Sequence, residues 1–150
     1  MATDIKRDDI GDALTEWSRK LEKQVTGMSQ ADKEDVVMQG ALVFEKHLRE
    51  ETRNKHYSSH NDPVFGHAAD NISMYKPADG SMSDANTQFT SYIVGWKHHY
   101  HAMNMLRAND GTKRQVGDNF ITNLQSSSKV RREILEAEQR RYKQLLNRGD

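Results

Sequence analysis

Ile10, Leu14, Trp17, Leu21 and Val25 stand four, three, four and four positions apart. An α-helix gathers that spacing onto one face, and no strand does. The chain therefore has to open with an amphipathic helix whose apolar stripe needs something to cover it. Asp8 and Asp9 precede the stripe, where carboxylates cap a helix and suit its positive end. Gly27 is a natural stop. A second stripe follows in Val37, Ala41, Phe44 and Leu48, widened by Val36 and Val43. Ser29 stands where its N-cap should be, Asp32, Lys33 and Glu34 occupy the first turns, and the pattern runs to about Thr52.

The middle of the chain changes character. Residues 53–70 hold Pro63, Gly66, paired serines and an Asn-Asp step, which read as loop. Asn71 to Tyr75 alternates polar and apolar residues, as a half-buried strand does. Lys76 to Asn86, with Pro77 and Gly80, reads as a hairpin connection to a partner strand from Thr87 to Trp96. Residues 99–108 fit either a short helix or a third strand. Asp110-Gly111 reads as a turn, since both residues accept its backbone conformation, and Asp118 as a helix cap. From Phe120 the stripe Leu124, Val130, Ile134, Ala137, Leu145 and Leu146 marks a terminal helix, with Gln125 to Ser128 as a candidate break. The expected fold is α+β: two N-terminal helices, a small antiparallel sheet with a long hairpin, and a C-terminal helix packed on one face.

How much such a chain can bury on its own is limited. At 150 residues it reads as one domain, 1–150, with 35% hydrophobic residues and a mean hydropathy of -0.94. That apolar share is well below the globular norm. Neighbouring subunits are therefore expected to complete part of the fold. Segments 53–70 and 76–88 are expected to stay mobile until assembly, having little to bury alone.

The 22 Lys and Arg balance 22 Asp and Glu, without the basic excess of a nucleic-acid binder. The absence of cysteine excludes disulfides, thiolate metal sites and cysteine nucleophiles, and fits a reducing cytoplasm. No apolar run is long enough for a membrane span, and the first residues lack a signal-peptide core.

Candidate chemistry centres on His98, His99 and His101. On a strand His99 and His101 would share a face and His98 would point away. With a carboxylate such as Asp110 they would be the ligands of a metal-dependent hydrolase, the first alternative function. No His-Glu-x-x-His spacing supplies a further ligand, and an interface role for the cluster is favoured. Serines are plentiful, but none sits in Gly-x-Ser-x-Gly, and no phosphate-cradling glycine loop occurs. The second alternative is nucleic-acid binding by the basic residues Lys129, Arg131, Arg132, Arg140, Arg141, Lys143 and Arg148. Interleaved glutamates favour a solvated, salt-bridged face instead. Trp17 and Trp96 read as core or interface anchors, and Met103 and Met105 as gap fillers.

Four segments in order carry a resemblance. These are Phe65-Gly66-His67-Ala68 before a strand; Ile93-Val94-Gly95-Trp96; Tyr100-His101-Ala102 running to Gly111-Thr112-Lys113; and Asp118-Asn119-Phe120-Ile121 at a helix start. Over residues 30–146 the chain resembles the tail-component family of long-tailed bacteriophages, the small head–tail connector or tail-completion proteins. It departs from the pattern at Ala68, where the family commonly has Leu, and at Arg114 to Gly117, where Pro or Ala is frequent. The connection from Lys76 to Asn86 is also long.

The resemblance implies a non-enzymatic virion subunit at the head–tail junction, assembled in the host bacterial cytoplasm, that oligomerises into a ring. A hexameric ring, about six-fold to match a tail tube, is implied. Its partners would be connector and tail-tube or tail-terminator proteins, with no membrane and no nucleic acid beyond passing DNA. No catalytic residue, cofactor or metal is implied. Candidates for subunit contact are His67, Trp96, His99, Tyr100, His101, Thr112 and Lys113. Gly66, Gly95, Asp110, Gly111, Asp118 and Phe120 are candidate turn and cap positions.

Overall fold

The computed structural model describes residues 7–57, 59, 62–76 and 91–148. In chain order they form α1 (Arg7–Gly27), α2 (Gln30–His56), a short 3-10 helix (Ala68–Asn71), β1 (Ile72–Tyr75), β2 (Ile93–Trp96) and α3 (His99–Asp110). A two-residue hairpin follows, β3 (Gly111–Thr112) and β4 (Gln115–Val116), then α4 (Phe120–Ser126) and α5 (Ser128–Asn147). The fold is α+β and helix-dominated.

Helices α2 and α5 start where their caps stand, whereas Asp8 and Asp9, expected ahead of the first helix, lie inside α1. Ser29 Oγ accepts from the Asp32 N–H at 3.1 Å, and Ser127 Oγ accepts from the Val130 N–H at 3.3 Å. Each hydroxyl satisfies one of the amides that a helix start leaves without a partner. Ser127 thereby splits the C-terminal stripe into α4 and α5. Helix α2 runs four residues past Thr52, to His56.

Helix α5 lies antiparallel along α2. Arg141 pairs with Asp35 at 2.6 Å, Arg148 with Asp32 at 2.9 Å, and His47 with Glu133, so one number rises as the other falls. β1 and β2 are antiparallel, Ile72 opposite Trp96 and Tyr75 opposite Ile93. Leu48 of α2, Ile72 of β1, Phe120 and Leu124 of α4 and Val130 of α5 form the core. Phe44, Trp96, Met105 and Ile134 pack around it. At about 1.5–3 kcal/mol for each large side chain taken from water, this is a small core.

Several expectations need correction. Residues 99–108 are helical, so His99 and His101 do not share a strand face. Two residues apart on a helix lie about 200° apart around the axis, which leaves His99 exposed and His101 buried. The turn expected at Asp110-Gly111 falls later. Asp110 ends α3, Gly111 caps it with φ 87 and opens β3, and Lys113 and Arg114 make the bend. A left-handed φ of that kind suits glycine, which has no Cβ to clash. Gly95 lies inside β2 opposite Ser73 rather than at a turn. Within 53–70, the first four residues continue α2 and Ala68 to Asp70 belong to the 3-10 helix, where Ala68 and Ala69 are buried. Of the expected partner strand, 93–96 is strand, 91–92 is not, and 87–90 lies outside the described residues, as does 77–88 of the hairpin connection.

Candidate functional site

The histidine-rich segment packs against the loop that follows α2. Asp62 shapes that loop. Its carboxylate accepts from the Val64 and Phe65 N–H groups at 2.8 and 3.1 Å, and its carbonyl accepts from the Gly66 N–H at 3.0 Å. Gly66 adopts φ 65. The loop presents the Phe65 carbonyl, which accepts from His101 Nε2 at 3.1 Å. The Phe65 ring stacks on Tyr100 at 5.6 Å and tilts against His98 at 5.4 Å. His101, 4% exposed, is thus a packed core histidine rather than a contact residue. His67 is half-buried and stacks on Tyr57 at 4.1 Å. His56, at the end of α2, pairs with Asp118 at 2.8 Å and lies against Phe120.

A cleft of about 150 Å³ opens between loop and helix, lined by His56, Asp62, His67, Tyr100, His101 and Asn104 among others. That is room for a few waters. Among the described residues, no group of three or more His, Asp or Glu is arranged to hold a metal ion. Asp110 is nine residues beyond His101 on the same helix, roughly 14 Å along its axis. The structure therefore does not bring together the ligand set His99, His101 and Asp110.

The remaining sequence candidates separate into buried and exposed groups. Trp96 packs on the core, and its indole N–H is buried with no acceptor. Thr112 and Lys113 are exposed on the β3–β4 hairpin, as are His99 and Tyr100 on α3. Phe120 is fully buried. Asp118 Oδ1 accepts from the Phe120 N–H at 3.1 Å, while Asn119 takes the N-cap place with φ 55 and no capping bond from its side chain.

Two structural residues escaped the sequence reading. Asn109, 4% exposed, reaches from the end of α3 to the start of α4. Its Oδ1 accepts from the Ile121 and Thr122 N–H groups at 2.9 and 3.1 Å. Its Nδ2 donates to Asp110 Oδ1 at 2.8 Å and Thr122 Oγ1 at 3.1 Å. The Asn-Asp-Gly step signals only a turn, and nothing in local spacing shows a cap that acts twelve residues later. Gly117 is the second. A Cβ there would fall 2.6 Å from the Gly111 backbone nitrogen, so the two strands of the connection close only over glycine. Its signal was the bare glycine before Asp118.

Electrostatics concentrate in the α2–α5 seam. The Arg141 guanidinium hydrogen-bonded to Asp35 holds that carboxyl below its ordinary range, and His47 does the same for Glu133. Lys76 lowers Glu34 from the β1 side. Glu138 behaves oppositely. It lies against Gly40, which leaves room for it in α2, and burial pushes its carboxyl up. The basic residues of α5 are partly committed. Arg141 and Arg148 pair with α2 carboxylates, and Arg131 Nε donates to the Gln125 carbonyl at 3.0 Å.

Apolar surface remains outside the packed body. Leu14 and Trp17 of α1 are 60% and 62% exposed. Helix α1 takes no part in the principal packing between elements among the described residues. No protein family, curated protein or solved structure matches the chain.

Proposed function

We propose that this chain is a non-enzymatic structural subunit of a long-tailed bacteriophage virion. It completes the tail or joins it to the head, acting as a ring that contacts connector and tail-tube or tail-terminator subunits. The phage assignment rests on the ordered motifs from Phe65 to Ile121. The structural observation that carries the reading is α1, a 21-residue amphipathic helix with Leu14 and Trp17 in solvent. Two large apolar side chains exposed a turn apart suit an interaction surface, and a small core gives reason to complete the fold through neighbours.

Sedimentation velocity on the purified chain tests oligomerisation. Concentration-dependent formation of a ring is expected, and a monomer throughout the range from about 1 to 100 μM would count against it. Removing the coding segment from the phage genome tests the role. Filled heads and separate tails are the expected products, and normally joined virions would refute it.

A further inference from the structure

Among the described residues, four ion pairs tie α2 to the segment from Asp118 onward, and their chemistry changes along the helix. Near the start of α2, Asp32 pairs with Arg148 and Asp35 with Arg141. Farther along, His47 pairs with Glu133, and the last residue, His56, pairs with Asp118 at 2.8 Å. Arginine keeps its charge throughout, whereas histidine gains or loses one between about pH 5 and 8. Both imidazole side chains are 19% exposed and both carboxylates 36%, so water screens these pairs less than pairs on the open surface. We propose that His47 and His56 form a proton-operated clasp. In mild acid it holds α4 and the first half of α5 on α2. In mild alkali it lets that segment open locally, while the arginine pairs keep the end of α5 in place.

The two pairs grip different elements. His47 and Glu133 join α2 to α5. Asp118 stands just before α4, where its Oδ2 meets His56 Nε2 and its Oδ1 accepts from the Phe120 N–H at 3.1 Å. The His56 ring lies 4.6 Å from the ring of Phe120, which is fully buried. A neutral imidazole still makes one hydrogen bond, but the charge-assisted bond is roughly twice as strong. Loss of the proton therefore loosens α4 beside its main core anchor.

The surrounding charges do not override the partners. His47 shares its groove with Lys46 and Glu50 of α2 and with Lys129, Glu136 and Arg140 of α5, and Glu133 is bonded to it. His56 faces Asp62 and His67 of the loop and Tyr100 and His101 of α3. Arg53 and Lys55, on the same helix as His56, pair with Asp70 and Glu51. His47 holds the Glu133 carboxyl below its ordinary range, so this pair stays intact down through the ordinary glutamate value of about 4.3. It loses its charge as pH rises through the ordinary histidine value of about 6.5.

Hydrogen exchange on the full chain, corrected for the intrinsic pH dependence of exchange, tests this segment by segment. From about pH 5.5 to about pH 8, protection of amides 120–133 should fall about fivefold or more, and that of amides 140–147 less than about twofold. His47→Gln with His56→Gln keeps an amide donor at each place and removes the titration, so the contrast should disappear. Glu133→Gln with Asp118→Asn removes the charged partners, keeps an acceptor for the Phe120 N–H, and should abolish the contrast too. Glu138→Gln separates the buried carboxyl opposite Gly40, whose proton is also held to higher pH, and should leave the contrast in place. In the wild type, an equal fall across both segments, or none, would overturn the proposal, and this profile decides even where a double variant fails to fold. A contrast that survives either double variant would also overturn it, since other groups such as His67 or His101 would then carry the pH dependence.

Discussion

Asn109→Ala tests whether one buried amide sets the connection between α3 and α4. In the folded chain Asn109 Oδ1 accepts from the Ile121 and Thr122 amides, and its Nδ2 donates to Asp110 and Thr122. Alanine removes the acceptor for two amides at a helix start. Each neutral hydrogen bond contributes about 1 kcal/mol net, and loss of a capping side chain costs about 1 kcal/mol. Because the site is 4% exposed, water replaces these partners poorly, and a loss of about 2–3 kcal/mol is expected. At about 2–4 °C per kcal/mol for a chain of this size, Tm should fall by roughly 5–10 °C. Asn109→Asp is the informative contrast. It keeps the acceptor but loses the donor and sets a second carboxylate beside Asp110, so it should also destabilise while leaving the α4 amides capped. Urea unfolding followed by far-UV circular dichroism gives the free energies, and hydrogen exchange at Ile121 and Thr122 reads the cap. A loss below about 0.5 kcal/mol for the alanine variant, or equal loss of protection in both variants, would refute the reasoning.

Gly117→Ala should destabilise by more than about 2 kcal/mol, because the Cβ would meet Gly111 and Asn109 backbone rather than a side chain that can move; thermal unfolding at or near wild-type Tm would contradict this. Glu138→Gln should raise Tm at neutral pH. Burial raises the Glu138 carboxyl, so the wild-type fold holds its proton to higher pH than the unfolded chain and loses stability as pH rises through that raised value. The advantage of the glutamine variant should therefore shrink as pH falls toward about 4.3, the unfolded glutamate value, and a gap independent of pH would argue for a packing cause. Asp35→Asn should show the reverse sign. Arg141 lowers the Asp35 carboxyl, so its contribution is complete above about pH 3.9, the unfolded aspartate value, and fades as pH falls through the lowered one. Denaturant midpoints measured from pH 7 to pH 2 should converge for variant and wild type.

The corrections in the middle of the chain share one cause. Residues 99–108 carry no clean period, since His101, Ala102, Met105 and Ala108 face inward at helical spacing while Tyr100, Met103 and Leu106 are apolar on the outer side. With apolar residues all round, neither period stands out. The histidines drew notice for their chemistry, yet the environment gave each a different place. His98 sits beside Phe65, His99 is in solvent, and His101 is bonded to the Phe65 carbonyl. Which of them is buried depends on a loop some thirty-five residues earlier, and no spacing rule links the two.

The existence of α1, α2 and α5, the Gly27 stop, the Ser29 cap, the polar break before α5 and an antiparallel pair of strands holding Ile72 and Ile93 were legible in the linear sequence. They depend on periodicity and capping, which act within a turn or two of chain. The pairing of Asp35 with Arg141, the Glu138 carboxyl against Gly40, the Asn109 amide over α4 and the closure of Gly111 on Gly117 were decided by the tertiary structure alone. Each depends on which backbone segment arrives opposite. The sequence announces α1 as a helix with an apolar face. The three-dimensional arrangement leaves Leu14 and Trp17 of that face exposed, because the small core formed by α2, α4, α5 and the two strands closes without them.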